Sequence, residues 1–381
     1  MEKHRVPLVR TTVGNDPEFF YMSQRNTPIA AEKFLEPKAV TGHYVTKIYF
    51  DNAAIEFAIA PRSCLMELNN EISVAVDALR SRLSQKKLST KSERISFRSA
   101  EKISKITLNK YDSVRMFACR PSLLLEGETH TVHHPEVNPF EELRRSAGFH
   151  VHIGEYDKKA EFNKQVTYAV KLCDLLAAIP AIFLDRDTER VQWRRQAIGY
   201  GVAGEFRIQP WGYEYRTLGS WPLSHPVWTW WANATVRMAN SIAVSLIATD
   251  TTTELFNIDR AAVEQTINSN NINDARAIWL DVKKILSKEF VLNEAQHNIS
   301  STFLSTKNTA AVEFLIANGG LELTNGKFFE AWLEKHPRPS YGHIGYKSAY
   351  SGIQNTILNV LGPLGFEKFF KSYRFTDDYI V

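Results

Sequence analysis

Four short stretches of the sequence set polar residues at strand spacing between apolar ones. In Gly148-Phe-His150-Val-His152-Ile-Gly154, alternation puts both imidazoles on one face and Phe149, Val151 and Ile153 on the other. Two histidines so spaced can hold a metal ion or donate to a phosphate, and the glycines permit close approach of a ligand. The plainer alternative is a hydrogen-bonded structural pair. Arg194, Arg195, Tyr200, Glu205, Arg207, Glu214 and Arg216 fall within 23 residues. Glu205, Arg207 and Gln209 share one strand face, and Glu214 and Arg216 share another. Carboxylates beside arginines suit a phosphate–metal site: the carboxylates hold Mg²⁺ through oxygen, and the guanidiniums neutralise charge on a transferring phosphoryl group. A cross-strand salt-bridge ladder would have the same pattern. Glu56 stands between Ala54 and Ala58, opposite the apolar Ile55, Phe57 and Ile59, which leaves room for an ion or ligand. Asp16 and Glu18 share one face two residues apart.

These residues need strands to hold them. Lys47–Ile59 reads as one long strand or a hairpin. Arg115–Pro121, Gly148–Gly154 and Ala203–Pro210 read as short strands, and Leu65–Leu83 as an amphipathic helix. Val166–Leu184 is apolar but carries Lys171, Asp174 and Pro180, so a buried helix is expected and not a membrane span. Pro226–Thr249 reads as helix. Beyond it Asp259–Ile267, Asp274–Phe290, Lys327–Lys335 and Tyr346–Leu361 look helical. Strands and helices do not alternate regularly. The expected class is therefore α+β with an antiparallel sheet, with a catalytic domain over residues 1–250 and a mostly helical region over 251–381.

Composition narrows the function. The chain has 381 residues, 44% hydrophobic, 23% charged, with a net charge of +4. That balance suits anionic small ligands and gives no ground to expect nucleic acid. Three scattered cysteines without a CxxC argue against a disulfide framework or zinc knuckle. The N-terminal MEKHRVPLVRTT has no signal-peptide apolar run, so a cytoplasmic protein is expected. Gly199, Gly201 and Gly204 spell GxGxxG, but a strand follows where a dinucleotide fold needs a helix. The Gly319–Lys327 loop fails as a P-loop because Phe follows the lysine. His130, His133 and His134 lie in a polar segment expected to be loop. Six of the eight tryptophans crowd residues 193–231, read as core with Trp211 and Trp221 as candidate cleft walls.

Taken in order, NDPEFF, DNAAIEFAIAP, GFHVHIG and GYGVAGEFRIQPWGYEYRTLGSW resemble the glutamine-synthetase-like amidoligases, in particular the phage-type COOH–NH2 ligase, type 2. The resemblance implies an antiparallel sheet shaped as a half-open funnel, ATP and Mg²⁺ (or Mn²⁺) as cofactors, and amide formation through an acyl phosphate. The partners implied are a small-molecule or peptide carboxylate and an amine; a homo-oligomer and, for a phage gene, the host cytoplasm are compatible with it. It implies that Glu18, Glu56 and Glu214 are metal ligands, with Asp16 a further candidate because the early motif is Asp-Pro-Glu and not Glu-x-Glu. His150 and His152 would contact metal or phosphate. Arg195 and Arg207 would lie near the phosphates or substrate carboxylate, and Arg216 would contact phosphate or substrate. The intermediate hydrolyses readily, so a closing loop is expected, at Asn138–Ala147 or around His130. Two other readings compete: a zinc hydrolase built on His150 and His152, and a non-catalytic phage binding protein that keeps the fold.

Overall fold

The computed structural model describes residues 4–5, 11–37, 46–63, 65–88, 95–115, 121–134, 143–154, 161–185, 187–224 and 226–291. In chain order the elements are β1 (His4–Arg5), β2 (Thr12–Asn15), β3 (Glu18–Met22), β4 (Pro28–Ile29), β5 (Lys47–Asp51), β6 (Ala54–Arg62), α1 (Leu65–Gln85), β7 (Ile95–Ser96) and β8 (Ala100–Lys102). There follow α2 (Lys105–Lys110), α3 (Asp112–Arg115), β9 (Ser122–Glu126), β10 (Thr129–His133), β11 (Arg144–Ser146), β12 (Val151–Gly154), α4 (Phe162–Cys173), α5 (Ile179–Leu184) and α6 (Thr188–Gln192). The last are β13 (Glu205–Gln209), β14 (Gly212–Tyr215), α7 (Pro226–Ala248), α8 (Arg260–Ser269), α9 (Ile272–Glu289) and β15 (Phe290–Val291).

The fold is α+β, as expected. One antiparallel sheet of eleven strands runs in the order β10-β9-β13-β14-β12-β2-β6-β3-β4, with β5 added to β6 and β7 to β3. One face packs on α1, α4 and α7, while on the other face Phe20, Met22 and Ala54 cluster with Leu108 of α2 and Val114 of α3. Val13, Phe19, Ile55, Phe57, Ile59, Phe149, Val151, Ile153, Phe206, Tyr213 and Tyr215 are buried in one cluster with residues of α1, α4 and α7. Lys47–Ile59 resolves as a hairpin: Asn52 takes a left-handed turn (φ 53°) between β5 and β6, a conformation asparagine tolerates well.

The α4 helix runs through a π-helical turn, Asp174–Ala178, into α5. The stretch Phe162–Phe183 is long and apolar enough to cross a membrane, yet 89% of its most apolar window is buried inside the protein. That is the expected core helix. Asp174 sits within it at 0% exposure, held by the Tyr215 hydroxyl at 2.7 Å and by Arg260 Nη1 at 2.7 Å. Through Arg260 and the apolar Val263, Ile267, Ala275, Trp279 and Val282, α8 and α9 pack into the same core as the sheet. The helices expected at 327–335 and 346–361 lie outside the described residues.

Three local expectations need correction. Arg115 closes α3 and strand begins at Ser122, with residues 116–120 outside the described set. His130 and His133 are not in a loop but on β10, which pairs along its whole length with β9. The expected Ala203–Pro210 strand starts at Glu205, because three glycines in left-handed conformation hold the chain in a loop up to Gly204.

Candidate active site

The face of the sheet opposite α1, α4 and α7 gathers the polar residues into two groups. On one side β2, β12, β14 and β13 lie adjacent. His152 stands opposite Gly14 and Glu214, and Glu214 opposite Arg207. Asp16, just after β2, reaches both histidines. Asp16 Oδ1 lies 2.8 Å from His150 Nδ1 and 3.0 Å from His152 Nε2. Asp16, His152 and Glu214 each present a ligand atom within 4.8 Å of the others.

On the other side β3, β6 and β5 put Glu18 opposite Glu56, and Glu56 opposite Tyr49. The Tyr49 hydroxyl donates to Glu56 Oε1 at 3.2 Å, and the Gly148 N–H to Glu18 Oε2 at 2.8 Å. Asp51, at the end of β5, completes a second triad with Glu18 and Glu56, again within 4.8 Å. Sequence reading passed over Asp51. Its signal was its place beside the Asn52 turn, which brings the end of β5 back along β6. Asp16 and Glu18 are two residues apart on one face yet serve different groups, one toward β12 and the other toward β5.

Arginines border the first group. Arg216 Nη1 lies 2.9 Å from Glu214 Oε2, its Nε 3.4 Å from Glu205 Oε1, and its Nη2 donates to the Tyr200 hydroxyl at 3.3 Å. Arg207 Nη1 lies 3.2 Å from the same Glu214 oxygen, and the Gln209 amide also donates to Glu214. Trp211, in the β13–β14 turn, leans over His152 with ring centroids 5.2 Å apart, the position of a cleft wall. Trp221 is fully buried against Trp228 and Trp231 and belongs to the core.

Arg195 is not brought to this cluster. Its guanidinium donates to the carbonyls of Gly201 (2.9 Å), Thr217 (3.4 Å) and Ile267. Burial, with Arg194 alongside, lowers its pKa to about 10. It ties the glycine loop to α8. Arg194 stacks on the Tyr200 ring at 4.4 Å and donates to the carbonyls of Thr217 and Arg216. Both arginines bury because they lie in a second π-helical turn, Trp193–Ala197, where the wider coil turns consecutive side chains inward. The loop needs its glycines: at Gly201 (φ +69°) a Cβ would fall 2.1 Å from Arg194 Nη1.

The electrostatics differ between the groups. Burial would raise the Asp16 pKa, but His152 and His150 pull it well below the usual carboxylate range. Burial, with Arg216 nearby, lowers His150 to about 4, so its ring is neutral at pH 7. Glu214 is lowered too: burial opposes ionisation, but His152, Arg216 and Arg207 outweigh it. The first group is thus ionised and internally balanced. Glu18 is the reverse. Burial, then Asp51 and Asp16, raise its pKa to about 8 against the pull of Arg216.

A buried carboxyl crowded by other carboxyls is what a site for a hard divalent cation looks like without its ion. The donor sets fit Mg²⁺ or Mn²⁺: five carboxylates and one imidazole across the two triads. The raised Glu18 pKa makes a measurable prediction. Between its unfolded value near 4.5 and about 8, folded Glu18 keeps a proton that the unfolded chain has released. The metal-free protein therefore loses stability as pH rises through that window, and a bound cation relieves the cost. The rise in melting temperature on adding Mg²⁺ should be larger at about pH 8.5 than near pH 6. An equal or smaller rise at the higher pH would show that Glu18 does not meet the cation.

The polar residues thus form two carboxylate groups, one of them edged by arginines, on one antiparallel sheet. Residues 138–307 match the family model of the phage phiEco32-like COOH.NH2 ligase-type 2, which bears out the amidoligase resemblance and supports an enzyme of the carboxylate–amine ligase kind. The matched stretch holds His150, His152, Arg195, Arg207, Glu214 and Arg216; Asp16, Glu18, Asp51 and Glu56 come from the chain before it, and the sheet joins the two sets. No curated protein and no solved structure matched the chain.

Proposed function

We propose that the chain is an ATP-dependent ligase that joins a carboxylate to an amine, forming an amide or peptide bond through an acyl phosphate. The observation that carries this reading is the pair of triads, Asp16/His152/Glu214 and Glu18/Asp51/Glu56, on one sheet face beside Arg216 and Arg207. Mg²⁺ or Mn²⁺ held by those triads would supply positive charge to the polyphosphate. The sheet face that carries the two triads would serve as the half-open funnel of a glutamine-synthetase-like fold. Arg207 and Arg216 would contact the transferring phosphoryl group or the substrate carboxylate. Arg195 would act at one remove, holding the glycine loop that carries Tyr200. A carboxylate oxygen attacks the γ-phosphorus and ADP leaves; the amine then attacks the acyl carbon, loses a proton, and phosphate departs with the bonding electrons. Trp211 would wall the cleft. The setting is the cytoplasm, with no nucleic acid or membrane as partner.

The zinc-hydrolase alternative needs both histidines as ligands. His150 instead has Nδ1 on Asp16 and Nε2 on the Tyr200 hydroxyl, leaving one imidazole among carboxylates, a set that favours a hard cation. A screen of amino acids, peptides and polyamines with ATP and Mg²⁺ should find pairs that stimulate release of ADP and phosphate together with an amide product. Release of AMP and pyrophosphate would overturn the acyl-phosphate chemistry, and turnover without ATP would favour the hydrolase.

A further inference from the structure

Tyr200 was singled out in the sequence only as one polar residue among several, and neither triad includes it. In the fold it is 2% exposed and lies where the arginine and metal sides of the site meet. Its hydroxyl is 2.6 Å from His150 Nε2 and accepts from Arg216 Nη2 at 3.3 Å. Its ring lies between two guanidiniums, Arg194 at 4.4 Å and Arg216 at 5.4 Å from the centroid, and meets the His150 ring edge-on. Gly148 makes room for this: a Cβ there would fall 2.8 Å from His150 Nε2, 2.9 Å from Arg194 Nη2 and 3.2 Å from the Tyr200 oxygen.

The direction of the hydrogen bonds follows from what each group can do. A guanidinium only donates, so the Tyr200 oxygen accepts from Arg216, and the same hydroxyl is hydrogen-bonded to His150 Nε2. At the other side of the ring Nδ1 lies 2.8 Å from Asp16 Oδ1, a carboxylate oxygen that accepts. One chain of hydrogen bonds thus runs from Arg216 through Tyr200 and His150 to Asp16. It fixes which Asp16 oxygen is occupied and how the carboxylate faces His152 and Glu214.

We propose that Tyr200 is a positioning residue: acting through His150, its hydroxyl sets Asp16 as a cation ligand and ties that ligand to the orientation of Arg216. This rests on the reading of Asp16, His152 and Glu214 as a cation site. Partners one step behind a metal ligand govern affinity by orienting it, with losses of about 10- to 100-fold when removed. Tyr200→Phe keeps the ring between its two arginines and deletes only the hydroxyl. Mn²⁺ titrated into the full chain by calorimetry should bind about 10- to 100-fold more weakly in this variant. His150→Asn breaks the same bond from its other end while offering Asp16 a donor, and should weaken Mn²⁺ by a similar factor. The double variant should be no weaker than the worse single one, because both changes cut one chain. Wild-type Mn²⁺ affinity in folded Tyr200→Phe, or losses that add in the double variant, would overturn the proposal even if melting temperatures fall. A wild-type chain that binds no Mn²⁺ would instead remove the cation site itself, and this inference with it.

Discussion

Arg216→Lys is expected to lower turnover by about a hundredfold or more while nucleotide still binds. Arg216 reaches Glu214, Glu205 and Tyr200 with three different nitrogens, a fork that a single ammonium cannot reproduce. Lysine keeps the positive charge that Glu214 and Glu205 require, so ground-state attraction for the polyphosphate survives. What is lost is a fixed planar array facing the charge that develops during phosphoryl transfer. Single-turnover kinetics beside nucleotide binding measure the two effects separately. A salt-bridge ladder with no catalytic part predicts a lower melting temperature and unchanged turnover; that outcome would take Arg216 out of the site.

Glu56→Gln is expected to act with opposite signs on the metal-free and metal-loaded protein. Glu56 is 1% exposed, opposite Glu18 in register and within 4.8 Å of Glu18 and Asp51 at the ligand atoms. Glutamine keeps the shape and an oxygen for the Tyr49 hydroxyl, but removes one of three crowded carboxyl groups. The metal-free protein should hold or raise its melting temperature. Its affinity for Mg²⁺ should fall by about a hundredfold or more, because Mg²⁺ gives up its waters only to strongly charged oxygen ligands. Thermal melts with and without Mg²⁺ check both signs in one experiment. If Glu56 were only a structural acceptor for Tyr49, the variant would lose stability in both conditions and keep its metal response.

Much of this site could be read from alternation alone. Glu56, His152 and Glu214 each sit between buried apolar neighbours, and Arg207 between buried Phe206 and half-buried Ile208, so period-2 spacing assigns their face without any knowledge of the pairing. The motif order also anticipated that strands distant in sequence would meet. Three features escaped for one reason: the information lay in the geometry of the chain between motifs. Asp51 joins Glu18 and Glu56 because a two-residue turn folds β5 onto β6. Arg195 turns away from the sheet because a π-helical turn widens the helix that carries it, and no residue pattern announced that extra coil. Tyr200 gained its place from three left-handed glycines, a motif that had been weighed only against dinucleotide folds. His130 and His133 were misplaced in a loop because an edge strand can be polar on both faces.

The central claim is that the substrate carboxylate is activated by phosphorylation. The direct measurement uses a carboxylate substrate labelled with ¹⁸O, turned over with ATP, Mg²⁺ and amine, and the phosphorus products resolved by ³¹P NMR. An acyl phosphate leaves its bridging oxygen on the departing phosphate, so one ¹⁸O should appear in inorganic phosphate for each amide formed and none in AMP. Label in AMP, or amide formed with unlabelled phosphate, would contradict the account.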